Sequence, residues 1–119
     1  MPTPKEIADD VVALCRAGQF DAPGEKHFAD DIVSLEPMEG DMARLVGKAA
    51  VQGKGEWWSA NHEVHDVQID GPYLHGDQFV VRYKMDVTPK GGERNTMDET
   101  GVYTVRDGKI VEERFFYGG

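Results

Sequence analysis

From Phe79 to Thr88 the chain alternates. Phe79, Val81, Tyr83, Met85 and Val87 share one parity, and Val80, Arg82, Lys84, Asp86 and Thr88 share the other. A period of two with one apolar parity predicts a strand that buries one face. The same alternation, less regular, predicts strands over 65–70, 95–105 and 109–117, and an earlier one over 32–38 closed by Pro37 and Gly40. Gly71-Pro72, His75-Gly76-Asp77, Lys90-Gly91-Gly92 and Asp107-Gly108 mark the breaks between them. Upstream the period lengthens. Ile7, Val11, Leu14 and Cys15 form a helical stripe, with Thr3 to cap, Pro4 in the first turn, Glu6 placed for a capping box and Gly18 to stop it. Residues 22–29 predict a short second helix limited by Pro23 and Gly24. Residues 48–60 predict a third, whose apolar content is Val51, Trp57 and Trp58. Gly53 and Gly55 each weaken that helix by roughly 1 kcal/mol relative to alanine.

Helices followed by consecutive long strands predict an α+β fold. It is a cone-shaped, curved antiparallel sheet packed against N-terminal helices, as one domain over residues 1–119. The last hairpin sets the parity inside the cone. A two-residue Asp107-Gly108 loop pairs odd positions with even ones. A three-residue Arg106-Asp107-Gly108 loop with Gly108 left-handed pairs odd with odd. The second choice gathers Met97, Tyr103, Val111, Phe115 and Tyr117 on one face, and it is the register expected here. It also turns Glu99 and Glu113 inward, where desolvation and mutual repulsion raise a carboxyl pKa. Such groups serve as proton donors or acceptors, or they pair with a cation such as Arg44 at the mouth of the cone. On the other face Val80, Val102, Ile110 and Phe116 form an apolar strip that a second copy of the chain would cover, so a homodimer is expected.

The 119 residues allow one domain with a core of its own. A net charge of −9 repels phosphate backbones and anionic lipid, so neither nucleic acid nor a membrane surface is an expected partner. The single cysteine, Cys15, the lack of a long apolar run and the Met-Pro-Thr-Pro start predict a cytoplasmic protein without a disulfide or a signal segment. Asn61-His62-Glu63-Val64-His65 lacks the H-E-x-x-H spacing and straddles a helix-to-strand junction, so no metal is expected there. Cys15 lies on the apolar stripe as core filler, and no phosphate loop, dinucleotide fingerprint or triad spacing occurs, so no cofactor is expected.

Phe28-Ala29-Asp30-Asp31, a strand ending in Glu36-Pro37, Gly47 opening a helix, and the closing run from Gly101 through Tyr103 and Gly108 to Val111 carry a resemblance. Nearly the whole chain resembles the nuclear-transport-factor-2-like superfamily. It is similar to that superfamily's SnoaL-like branch, which includes polyketide cyclases and is akin to ketosteroid isomerase. The resemblance implies a cystatin-like cone, commonly dimeric, with a deep pocket between sheet and helices. It places Glu36 where the isomerases carry their general-base aspartate. The isomerases' oxyanion partners fall at Val11 and Gly101, which cannot serve, and Glu99 lies one pleat away. The expected site therefore has Glu36, Glu99 and Tyr103 as catalytic groups. Trp57, Trp58, His62, Tyr83, Met97, Glu113, Phe115 and Tyr117 would line the pocket. The expected ligand is a small apolar carbonyl or hydroxyl compound, isomerised, dehydrated or cyclised without a cofactor. The alternative is a non-catalytic binding or assembly domain whose carboxylates are structural.

Overall fold

The computed structural model describes residues 1–117. Helix α1 (Pro4–Arg16) begins with the capping box foreseen: the Glu6 amide donates to Thr3 Oγ1, and the Thr3 amide donates to the Glu6 carboxylate. Its buried stripe is Ile7, Ala8, Val11, Val12 and Cys15, and Gly18 takes a positive φ just beyond the end. Helix α2 (Ala22–His27) is shorter than expected. Strand β1 (Phe28–Leu35) starts earlier than the expected 32–38 and stops earlier, where the chain turns at Pro37 and the Met38 amide donates to the Glu36 carbonyl. The exposed Asp30-Asp31 pair concealed its first half. A three-residue strand, β2 (Arg44–Val46), pairs with β1 and had no signal in the sequence. Helix α3 (Lys48–Asn61) follows.

Four long strands complete the chain: β3 (His62–His75), β4 (Gln78–Pro89), β5 (Asn95–Arg106) and β6 (Lys109–Phe116). Gly71-Pro72 does not end β3, as its sequence suggested. The strand runs on through a register shift between Asp70 and Tyr73. A Cβ on Gly71, whose φ is +125°, would lie 2.9 Å from the Val80 carbonyl oxygen, so only glycine fits there.

The sheet order is β2-β1-β6-β5-β4-β3, curved and unclosed, with β2 and β3 at its edges. The helices pack against its inner face, giving the α+β architecture expected. The sheet is antiparallel at every pairing but one: β1 runs parallel to β6, placing Ser34 beside Glu113. Period two gives no warning of that pairing, because a strand's direction is set by the connection and not by its own pattern. Phe79, Val81, Tyr83, Met85 and Val87 of β4 are all buried, and Phe79 stacks on Tyr103 with ring centroids 4.8 Å apart. Among the described residues no helix is long and apolar enough to cross a membrane.

The last hairpin reaches the expected parity by a different route. Its loop is the two-residue one, Asp107 and Gly108 both with positive φ, joining Arg106 to Lys109. A bulge then corrects the register: Val105 faces Ile110 but Thr104 faces Glu112, leaving Val111 as the extra residue. Beyond it Tyr103 faces Glu113 and Gly101 faces Phe115, odd with odd. Val111 therefore leaves the inward set, and Ile110, expected on the outer face, is fully buried. The outer strip keeps Val80, Val102 and the half-exposed Phe116, interrupted by the Arg82–Asp98 ion pair.

Phe79 is wholly buried beneath Tyr103. Phe79→Ala is expected to lower the unfolding free energy by about 3–5 kcal/mol, read by urea denaturation. A loss under 1 kcal/mol would contradict this packing.

Candidate functional site

Between the inner face of the sheet and the three helices lies a cavity of about 340 Å³. Its walls are mostly apolar and its acids lie at two depths. Glu36 arrives from the end of β1, continuing the inward parity of Ile32 and Ser34. Glu99 comes from β5, opposite Tyr83. Glu113 comes from β6 and is 6% exposed. From α3, Val51, Lys54 and Trp58 reach the cavity at helical spacing of three and four.

Lys54 organises the acids. Its Nζ is 3.0 Å from Glu36 Oε1 and 3.9 Å from Glu113 Oε1, and it donates to Ser34 Oγ. Ser34 in turn donates to Glu113 Oε1 at 2.8 Å. The ammonium also lies 5.4 Å from the centre of the Phe115 ring. Burial still raises the Glu113 carboxyl above its ordinary range, opposed by Lys54 and by the Ser34 hydrogen bond. Glu99 has no such help. Burial first, then the charges of Glu36 and Glu113, push it to about 7, against which only Lys54 acts from a distance.

The tyrosines form a second polar chain. Tyr83 and Tyr103 share a hydrogen bond between their hydroxyls, and burial holds both well above the usual phenol range. They are neutral donors throughout the physiological range. Gly101 leaves the space Tyr103 occupies: a Cβ there would lie 2.9 Å from the Tyr103 ring and hydroxyl. At the mouth the Tyr117 hydroxyl reaches Met38 Sδ, and burial and Glu36 raise its pKa to about 12.

The cavity thus gathers Glu36, Glu99, Glu113 and Tyr103 with Tyr83, Met97, Trp58, Phe115 and Tyr117. Two expected wall residues are elsewhere. Trp57 is 57% exposed, because α3 turns Trp58 inward and its neighbour outward. His62 stacks on the far side of Trp58, centroids 4.3 Å apart, and its Nδ1–H donates to the Trp58 carbonyl at 2.7 Å. It faces a shallower groove between α1 and β3. Arg44, expected as a counter-ion, is exposed, and Lys54 takes that role. Lys54 and Ser34 were missed. The available signal was position: Lys54 is the basic residue that α3 carries on the face of Val51 and Trp58, and Ser34 shares the parity of Ile32 and Glu36. Among the described residues no group of three or more His, Cys, Asp or Glu is arranged to hold a metal ion.

The family described as SnoaL-like domain matches residues 2–117. Among solved structures, a Mesorhizobium loti protein described as a candidate SnoaL-like polyketide cyclase is 55% identical, over 98% of this chain and 100% of that one, with a TM-score of 0.93. A Catenulispora acidiphila protein with a ketosteroid isomerase-like fold, crystallised with trimethylamine, is 23% identical over 98% and 88%, TM-score 0.74. A candidate polyketide cyclase of Pseudomonas putida is 16% identical over 99% and 93%, TM-score 0.70. The last two share the fold. Among curated proteins nothing matches the chain.

The raised Glu99 carboxyl makes stability depend on pH. The folded chain holds a proton there between about 4.5 and about 7 that the unfolded chain releases. The stability gained from that proton is full below pH 4.5 and lost as pH rises through 7. Glu99→Gln, which cannot ionise, is therefore expected to exceed the wild type by up to about 3 kcal/mol at pH 8 and to match it at pH 4. Urea denaturation at the two pH values checks this, and a difference independent of pH would contradict it.

Proposed function

The chain belongs to the SnoaL-like domain family, and on that footing we propose that its cavity binds a small, largely apolar molecule and moves a proton on it by carboxylate chemistry. The observation that carries the reading is the unequal treatment of three neighbouring acids. Glu36 is ion-paired with Lys54, whereas Glu99, with its pKa raised to about 7, holds a proton up to that pH. A carboxylate beside a carboxylic acid supplies both halves of an acid–base reaction.

In this reading Glu36 accepts a proton from carbon or hydroxyl next to a carbonyl. Neutral Glu99 donates a hydrogen bond to the oxyanion that develops, and the Tyr83–Tyr103 pair supplies a further phenol donor from beneath. Trp58 and Phe115 give the reacting atoms an apolar wall, with Tyr117 at the mouth. Isomerisation, dehydration and ring closure all use these steps, and none needs a cofactor.

One observation favours a second reading. Ser34, Lys54 and Glu113 satisfy one another without a ligand, as a structural network does, and Glu36 joins it through Lys54. The cavity then binds without catalysis.

Hydrogen–deuterium exchange separates the two. With a panel of apolar cyclic and aromatic ketones in D2O, followed by NMR, the protein is expected to speed exchange beside the carbonyl for at least one ketone. Glu36→Gln is expected to reduce that rate by about 10²–10⁴-fold. Binding without exchange for every ketone would leave the second reading.

A further inference from the structure

We propose that the ligand of this cavity carries a protonated amine on an apolar body, with the ammonium placed at Glu99. The proposal rests on the reading that the cavity takes small molecules; with an ammonium on Glu99, the Tyr83–Tyr103 hydroxyl pair is the donor left for an oxyanion.

The charge of the lining points first. Asp21, Glu25 and Glu56 stand exposed at the rim, and Glu36, Glu99 and Glu113 lie within, whereas Lys54 supplies the one ammonium among the described lining residues. An anionic ligand must pass the rim acids and then sit among the inner ones, so carboxylates and phosphates are repelled at both depths. The positive charge of Lys54 is already committed to Glu36, Ser34 and Glu113. Glu99 receives neither a hydrogen bond nor an ion pair from the described residues. Its carboxyl oxygens open to solvent within the cavity, where a ligand's cation can reach them.

The chain itself shows how an ammonium is held here. Lys54 Nζ rests between two carboxylates with the Phe115 ring 5.4 Å away. Glu99 offers a second position of the same kind. A carboxylate stands among Met97, Phe115, Tyr117 and the hydroxyl-bearing Tyr83, the aromatic faces of which attract a cation. A neutral ligand leaves Glu99 to carry its own proton or to ionise unpaired. An ammonium converts it to a paired carboxylate, which is the form that burial otherwise penalises. The apolar body then fills the space toward Trp58 and Phe20.

Three probes of nearly equal shape test this: phenethylamine, 2-phenylethanol and phenylacetate, each titrated into the whole protein at pH 7.5 by calorimetry, with the carbon NMR signal of the Glu99 carboxyl followed in parallel. The amine is expected to bind about tenfold or more tighter than the alcohol, to move the Glu99 signal, and to exceed phenylacetate by more. Glu99→Gln is expected to remove the preference for the amine over the alcohol. Equal binding of amine and alcohol, or a preference that survives Glu99→Gln, overturns the amine proposal and leaves the small-molecule reading standing. Failure of all three to bind overturns both.

Discussion

One ammonium serves three carboxylates. Lys54 lies within ion-pair distance of Glu36 and Glu113, and its remaining reach is taken by Ser34, so Glu99 is left to the weakest share of its field. Buried carboxylates without a counter-ion cost several kcal/mol each, and a chain of net charge −9 has few cations to bring inside. The cavity exists in this form because α3 turns one lysine toward the sheet. The same lysine sorts the acids into a paired carboxylate, a hydrogen-bonded buried one and a free one that titrates near neutrality.

The sheet must deliver those acids to one place. The parallel pairing of β1 with β6 sets Ser34 beside Glu113, which fixes the carboxyl that Lys54 approaches. The bulge at Val111 restores odd-with-odd pairing after a two-residue turn, so Glu113 and Phe115 face inward with Tyr103 and Glu99. Without that extra residue Glu112 and Arg114 would point at the cavity. Gly101 contributes by absence, since any side chain there would meet the Tyr103 ring that Phe79 supports from below. The alternation along β4 supplies the floor on which both tyrosines stand.

Much of this was legible in the sequence, for identifiable reasons. Strict period two in β4 and the Thr3–Glu6 capping box are local signals, and they led to the fold class, whereas the inward parity of Glu99 and Glu113 was expected from a three-residue turn and is delivered by the bulge at Val111. Pairings between distant segments are not local. The parallel partner of β1, the short β2 and the continuation of β3 through Gly71-Pro72 depend on which strand lies alongside, which a single strand's pattern does not encode. Lys54 escaped for a related reason: a lysine on a glycine-rich helix reads as solvated, and its importance appears only when β1 and β6 set Glu36 and Glu113 opposite that face. Trp57 and His62 were placed in the wall by residue type, and the direction of the helix face decided otherwise.

Lys54 pairs with Glu36 and Glu113 and leaves Glu99 without a counter-ion, so burial and the neighbouring acids push Glu99 up to about 7. Carbon NMR titration of the glutamate carboxyls tests it most directly. Glu99 is expected to titrate near 7, with Lys54→Met raising the midpoints of Glu99 and Glu113 together. Midpoints for Glu99 and Glu113 both near the ordinary value of about 4.3, unmoved by Lys54→Met, would contradict it.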